Sequence, residues 1–194
     1  AVNDAIDYFI AEAGDYPGSP MKGGVVIFAS GNSNTELKMY PAAYPPVIKA
    51  LLNADLIVLG PGSLYTSLIP NLLVPDIAAA IQASQALRVY VCNTATQPGE
   101  TDGYDVGAHM RAIERHTRPG LFGVEMGNAS QTGELLSHLH WVAPTLGPVT
   151  NGAVPPVELV LADLVDEGHP WRHDSEKLAA ALLELLEQRR QSSF

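Results

Sequence analysis

The chain has 194 residues, 46% of them hydrophobic, with 21 Asp and Glu against 11 Lys and Arg and a formal net charge of -10. That length and apolar content suit a single globular domain with a substantial core, while the acidic balance and the scatter of the basic residues argue against a nucleic-acid footprint. One cysteine, Cys92, rules out a disulfide framework; no apolar run reaches the roughly 20 residues that a bilayer span requires; and the first residues carry no signal-peptide pattern, so a soluble, cytoplasmic protein is expected.

In chain order, Ile6, Phe9, Ile10 and Ala13 repeat at helical spacing behind Asn3 and Asp4, which can cap. Gly14 to Pro20 breaks that helix, and Gly24 to Ala29 reads as a strand running into Ser30-Gly31-Asn32-Ser33-Asn34. Pro45 and Pro46 suit a helix first turn, with Val47, Leu51 and Ala54 on one face. A strand from Asp55 to Leu59 stops at Gly60, and Pro75 and Asp76 start a helix with Ile77, Ala80 and Ile81 inward. A second strand runs from Arg88 to Asn93 with Cys92 as a buried thiol. Asp105 can cap a helix that places Val106, Met110 and Ile113 together and ends near Pro119. Leu121 to Pro156 reads as short strands with long connections. From Val157, VELVLADLV is again β-rich, and Asp174 caps a last helix with Leu178, Leu182, Leu185 and Leu186 inward and Arg189 and Arg190 at its carboxyl end. This alternation predicts one α/β domain over residues 1–194: a Rossmann-like, mainly parallel sheet with helices on both faces, in three layers.

The chemistry gathers where strands end. DLIVLGPGSLYTSLIPNLLVP, from Asp55 to Pro75, passes from a strand into glycines and hydroxyls. Gly60 and Gly62 permit close approach of a ligand to the backbone, and Ser63, Tyr65, Thr66 and Ser67 offer hydroxyl donors, a composition suited to phosphate or diphosphate. It is neither a Walker loop nor a dinucleotide fingerprint, since no Lys follows the second Gly and Tyr65 stands where a third Gly would fall. A plain polar turn is the competing reading. TATQPGETDGY, from Thr94 to Tyr104, follows the second strand, and parallel neighbouring strands would put both loops at the carboxyl edge of one sheet, where open α/β folds bind ligands.

Asn93, Thr96 and Gln97 could read a base or a sugar hydroxyl. Glu100 and Asp102 could hold magnesium against a diphosphate or act as a base, with capping or turn duty the alternative for Asp102. Arg172 suits bidentate phosphate binding, against a salt bridge with Asp163 or Asp166. No HExxH or cysteine cluster suggests zinc, and Gly62-Ser63-Leu64 lacks the following glycine of a hydrolase elbow.

Three strings, GPGSLYTSLIPNLLVPDI from Gly60, VYVCNTATQPGETDGY from Val89 and ADLVDEGHPWRHDSEKLAAALLELL from Ala162, together resemble the family that groups the gluconeogenesis factor with 2-phospho-L-lactate transferase. The resemblance covers the chain from about Asp55 onward and leans toward the gluconeogenesis-factor branch. It implies a bacterial protein that binds a UDP-sugar or related nucleotide diphosphate and is linked to carbon metabolism and cell shape. It also implies an arginine at the position of Arg172. The transferase branch implies the alternative, transfer of a phospholactyl group from a nucleotide diphosphate to a deazaflavin with magnesium. Family members begin with a GGGTG-type turn; Ala1 to Gly24 does not reproduce it, and Gly23-Gly24 precede a strand. The chain is therefore expected to be a fragment or shortened form, or to have a remodelled nucleotide half, and a binding protein is favoured over an enzyme. A homo-oligomer stays open.

Overall fold

The computed structural model describes residues 45–146 and 157–192. Four strands, β1 (Leu56–Leu59), β2 (Leu87–Val91), β3 (Val124–Asn128) and β4 (Glu158–Ala162), form a sheet in that order. All three pairings are parallel, with Leu56 opposite Leu87, Val89 opposite Val124 and Glu125 opposite Leu159. The expected helix over Ile6 to Ala13, the strand over Gly24 to Ala29 and the whole of Ala1 to Gly24, compared above with the family's GGGTG-type turn, lie outside the described residues, as does most of the Thr145 to Pro156 segment.

β1 and β3 are buried along their whole length, which a strand achieves only when both faces of its sheet are covered. Alternate side chains go to different layers. Ile57, Leu59 and Tyr90 pack with α1 (Pro45–Asn53), α2 (Ile69–Leu72), α3 (Pro75–Ala83) and α4 (Val106–His116), whose inward residues include Val47, Leu51, Ile77, Ile81, Met110 and Ile113. Leu56, Val58, Val89, Val91, Val124 and Met126 pack with Leu185 and Leu186 of α5 (Ser175–Ser192). The result is the three-layer, parallel α/β fold expected from the alternation of elements. β4 is half-exposed, and Leu161 is 45% open to solvent.

The helix starts follow their local chemistry. Asp105 Oδ1 accepts from Ala108 N at 2.6 Å at the head of α4, and Asp174 Oδ1 accepts from Glu176 N and Lys177 N, both at 2.9 Å, at the head of α5. Pro75 stands in the first turn of α3, where its missing N–H costs nothing. Arg189 and Arg190 do more than complement the end of α5: they pair with Glu158 and Asp55 and fasten the helix to strand ends.

Two expectations are corrected. The hydroxyl-bearing run after Gly62 is not an open loop: Leu64–Leu68 forms a π-helical turn that leads directly into α2. Leu64, Leu68 and Leu72 recur near the period of a helix and all three are buried, so packing draws the segment into a helix. β2 ends at Val91 rather than Asn93, which frees the Asn93 side chain for a loop. No single helix among the described residues is long and apolar enough to cross a membrane; Leu64–Leu72 and Pro75–Ala83 would suffice only as a pair, but they are bent by 73° and their leucines and isoleucines pack in the core.

Candidate functional site

The site begins at the glycine that ends β1. Gly60 has φ 89°, and a Cβ there would stand 2.6 Å from the carbonyl oxygen of Val91, so the backbones of the first two strand ends approach as closely as only glycine allows. The next residues are clasped from the second strand. Gly62 N donates to Asn93 Oδ1 at 3.1 Å and Asn93 Nδ2 donates to Gly62 O at 3.0 Å, a reciprocal pair that works like one rung of a ladder made by a side chain. Asn93 Nδ2 also reaches Gln97 Oε1 at 3.3 Å.

A second junction lies alongside. Glu100 accepts from Ser63 Oγ at 2.6 Å and 2.8 Å, on its two oxygens, and from Tyr65 N at 2.8 Å. Ser63 Oγ also bonds Thr66 Oγ1, and the Tyr65 and Tyr104 hydroxyls bond each other at 2.8 Å. The two loops predicted to share an edge are thus joined through their side chains.

The third component comes from the segment after β4. Pro61, Gly62 and Asn93 on one side and Trp171, Arg172, His173 and Ser175 on the other line an open cleft of about 550 Å³, walled by Leu178, Ala179 and Leu182 of α5. His173 Nε2 donates to the Cys92 carbonyl at 3.1 Å, which tethers this segment to the end of β2; Thr94 Oγ1 adds a bond of 3.1 Å to Pro170 O. Burial pulls His173 below the ordinary imidazole value, partly opposed by its bond to the Cys92 carbonyl, and so favours a neutral ring at neutral pH. Neither Asp163 nor Asp166 takes Arg172: Lys177 holds Asp163 at 2.9 Å and His169 lies 3.4 Å from Asp166. Among the described residues no ion pair involves Arg172.

The cleft lies at the carboxyl ends of parallel strands, edged by the GPGS turn and the HPWRHD segment. The family model for "2-phospho-L-lactate transferase CofD" matches residues 26–190. The chain belongs to that family. Putative gluconeogenesis factors resemble it: that of Thermoanaerobacterium thermosulfurigenes is 41% identical over 153 residues, covering 76% of this chain and 47% of the relative. The gluconeogenesis factor of Bacillus subtilis is 33% identical over 148 residues, covering 74% and 47%. The crystal structure of a protein of the UPF0052 family from Bacillus halodurans superposes with a TM-score of 0.59 at 34% identity, covering 74% of this chain and 48% of that one. The chain therefore spans about half the length of each of these three proteins.

Within this family member, Gly62, Asn93 and Arg172 are brought to the cleft, while Gly60 does not line it and packs against the Val91 carbonyl. Ser63 bonds both Thr66 and Glu100 in the neighbouring turn. Ser67 offers its carbonyl to Asn71 Nδ2 at 2.6 Å and its N–H to Ser63 O at 3.0 Å. Thr96 is buried and exchanges bonds with His140 at 2.8 Å and 3.2 Å. Asp102 accepts from Gly99 N at 2.6 Å, the turn duty weighed for it above. Glu100 and Asp102 are engaged by different turns, and among the described residues no three His, Cys, Asp or Glu are grouped to hold a metal ion. Trp171, His173 and Ser175 also line the cleft but went unremarked in the sequence, although their adjacency to Arg172 in WRHDS was the available signal.

Proposed function

We propose that the cleft binds a nucleotide diphosphate, a UDP-sugar by the likeness to gluconeogenesis factors, and that the protein acts in the cytoplasm as a ligand-sensing regulator of carbon metabolism and cell shape. The observation that carries this reading is the convergence of Arg172, Asn93 and the Gly62 backbone on one open cleft at the carboxyl edge of a parallel sheet. The guanidinium supplies paired donors for a diphosphate, and the Asn93 amide can serve sugar or base once part of its bonding is shared. Trp171 and the leucines of α5 supply apolar surface for the rest of the ligand.

Calorimetry with UDP-sugars and with uridine and guanine diphosphates tests it. Binding weaker than about millimolar, a free energy of only about 4 kcal/mol, would remove the nucleotide reading. Arg172→Ala is expected to weaken binding by about tenfold or more, the scale of a charge-assisted hydrogen bond; Arg189→Ala, which touches a half-exposed ion pair on Glu158, leaves affinity unchanged.

The family description favours a second reading, a phospholactyl transferase. Multiple turnovers with magnesium, a lactyl-diphospho-nucleoside and a deazaflavin, detected by mass spectrometry, would select it over the binding protein.

A further inference from the structure

Glu100 lies between two assignments, since it neighbours the cleft loop yet does not line the cleft. We propose that Glu100 is a positioning residue, an internal acceptor that holds the GPGS turn against the loop after β2 and so presents Gly62 and Asn93 to the ligand.

The bonding pattern carries this role. A serine hydroxyl has one proton, and glutamate has none to give, so Ser63 must spend its proton on Glu100. Thr66 then has to donate to Ser63, and the three side chains form a directed relay ending on the carboxylate. The Tyr65 N–H, an unsatisfied donor of the first π-helical turn, ends on the same carboxylate at 2.8 Å. Donors that the sequence offered to a phosphate are therefore already held by an anion of the protein itself. The Asn93 clasp on Gly62 is the second brace, one residue away on the chain. Between them the β1 loop is fixed on both sides of Ser63, the pre-organisation that reduces the entropy lost on ligand binding.

A brace needs acceptor oxygens; a metal ligand or general base needs the charge and the lone pair free. Glu100→Gln preserves one acceptor for Tyr65 N–H and can still bond Ser63, whereas Glu100→Ala removes both. Amide hydrogen exchange reports on the loop without any ligand: exchange at Tyr65 is expected to rise by about tenfold or more in Glu100→Ala, and to stay within about threefold of wild type in Glu100→Gln, by the strength of hydrogen bonds to charged and neutral acceptors. Affinity for UDP, which rests on the nucleotide reading above, should fall in Glu100→Ala and recover in Glu100→Gln, equally with magnesium or with a chelator. Unchanged Tyr65 exchange in Glu100→Ala overturns the proposal, as does a Glu100→Gln variant that loses UDP affinity as completely as Glu100→Ala. If wild-type protein binds no nucleotide, that reading falls while the exchange result still decides the brace. Should Glu100→Ala fail to fold, Ser63→Ala probes the same relay and is expected to speed exchange at Tyr65; no change there refutes it.

Discussion

Glu100 and Glu125 stand within two successive units of the same sheet, yet their surroundings are opposite. Glu100, in the loop after β2, collects the Ser63 hydroxyl and the Tyr65 amide. Glu125, the second residue of β3, is 0% exposed, lies in register between Tyr90 and Leu159, and has neither carboxyl oxygen hydrogen-bonded among the described residues. Burial, reinforced by Asp105, pushes its carboxyl up to about 9, so it is protonated at neutral pH. A carboxyl in a loop becomes part of the loop architecture because donors surround it, while one inside a buried strand must give up its charge because the sheet's own amides are taken.

The largest effect is expected at Glu125. Its folded value lies above its unfolded one, so the folded state retains an extra proton between pH 4.5 and 9: the stability linked to this group is complete below pH 4.5 and is lost as pH rises toward 9. Glu125→Gln removes that dependence. From about pH 5 to about pH 8, urea titrations should show wild type losing roughly 4 kcal/mol relative to Glu125→Gln. A pH-independent difference would mean that Glu125 is not isolated, and the contrast with Glu100 would collapse.

Gly60→Ala comes next. It forces a side chain into a left-handed φ and against the Val91 carbonyl, and is expected to cost about 3 kcal/mol in thermal or urea unfolding, on the scale of stored backbone strain plus overpacking. A neutral Gly60→Ala would show that the two strand ends separate freely, leaving Asn93 and Glu100 little to hold together.

Asn93→Ala should be smaller, roughly 1–2 kcal/mol in stability, because it strips partners from the Gly62 N–H and carbonyl in a half-exposed place where water can replace them in part. Its loss should appear more strongly in UDP affinity than in melting temperature. The reverse outcome would make the clasp a folding element and not a feature of the site.

Much of this molecule was determined by the sequence itself. The period of apolar residues specified β1, α3, α4 and α5, and the caps Asp105 and Asp174 marked two helix starts, because such signals act between residues a few positions apart. The same local reading located Gly60, Gly62, Asn93 and Arg172 as strand-end and loop residues of interest. Only the tertiary structure decided what each does. It turned the LYTSL hydroxyl run into a helical turn, because buried leucines outweighed its loop-like composition. It separated Glu100 from Asp102, which adjacency in the chain had paired, by giving each a different donor. It also brought Arg172 to the cleft that Gly62 lines and buried Glu125 with no hydrogen-bond partner for either carboxyl oxygen among the described residues. Hydrogen-bond partners and local dielectric belong to the atoms that surround a group in space, and in a parallel sheet those atoms come from distant crossovers.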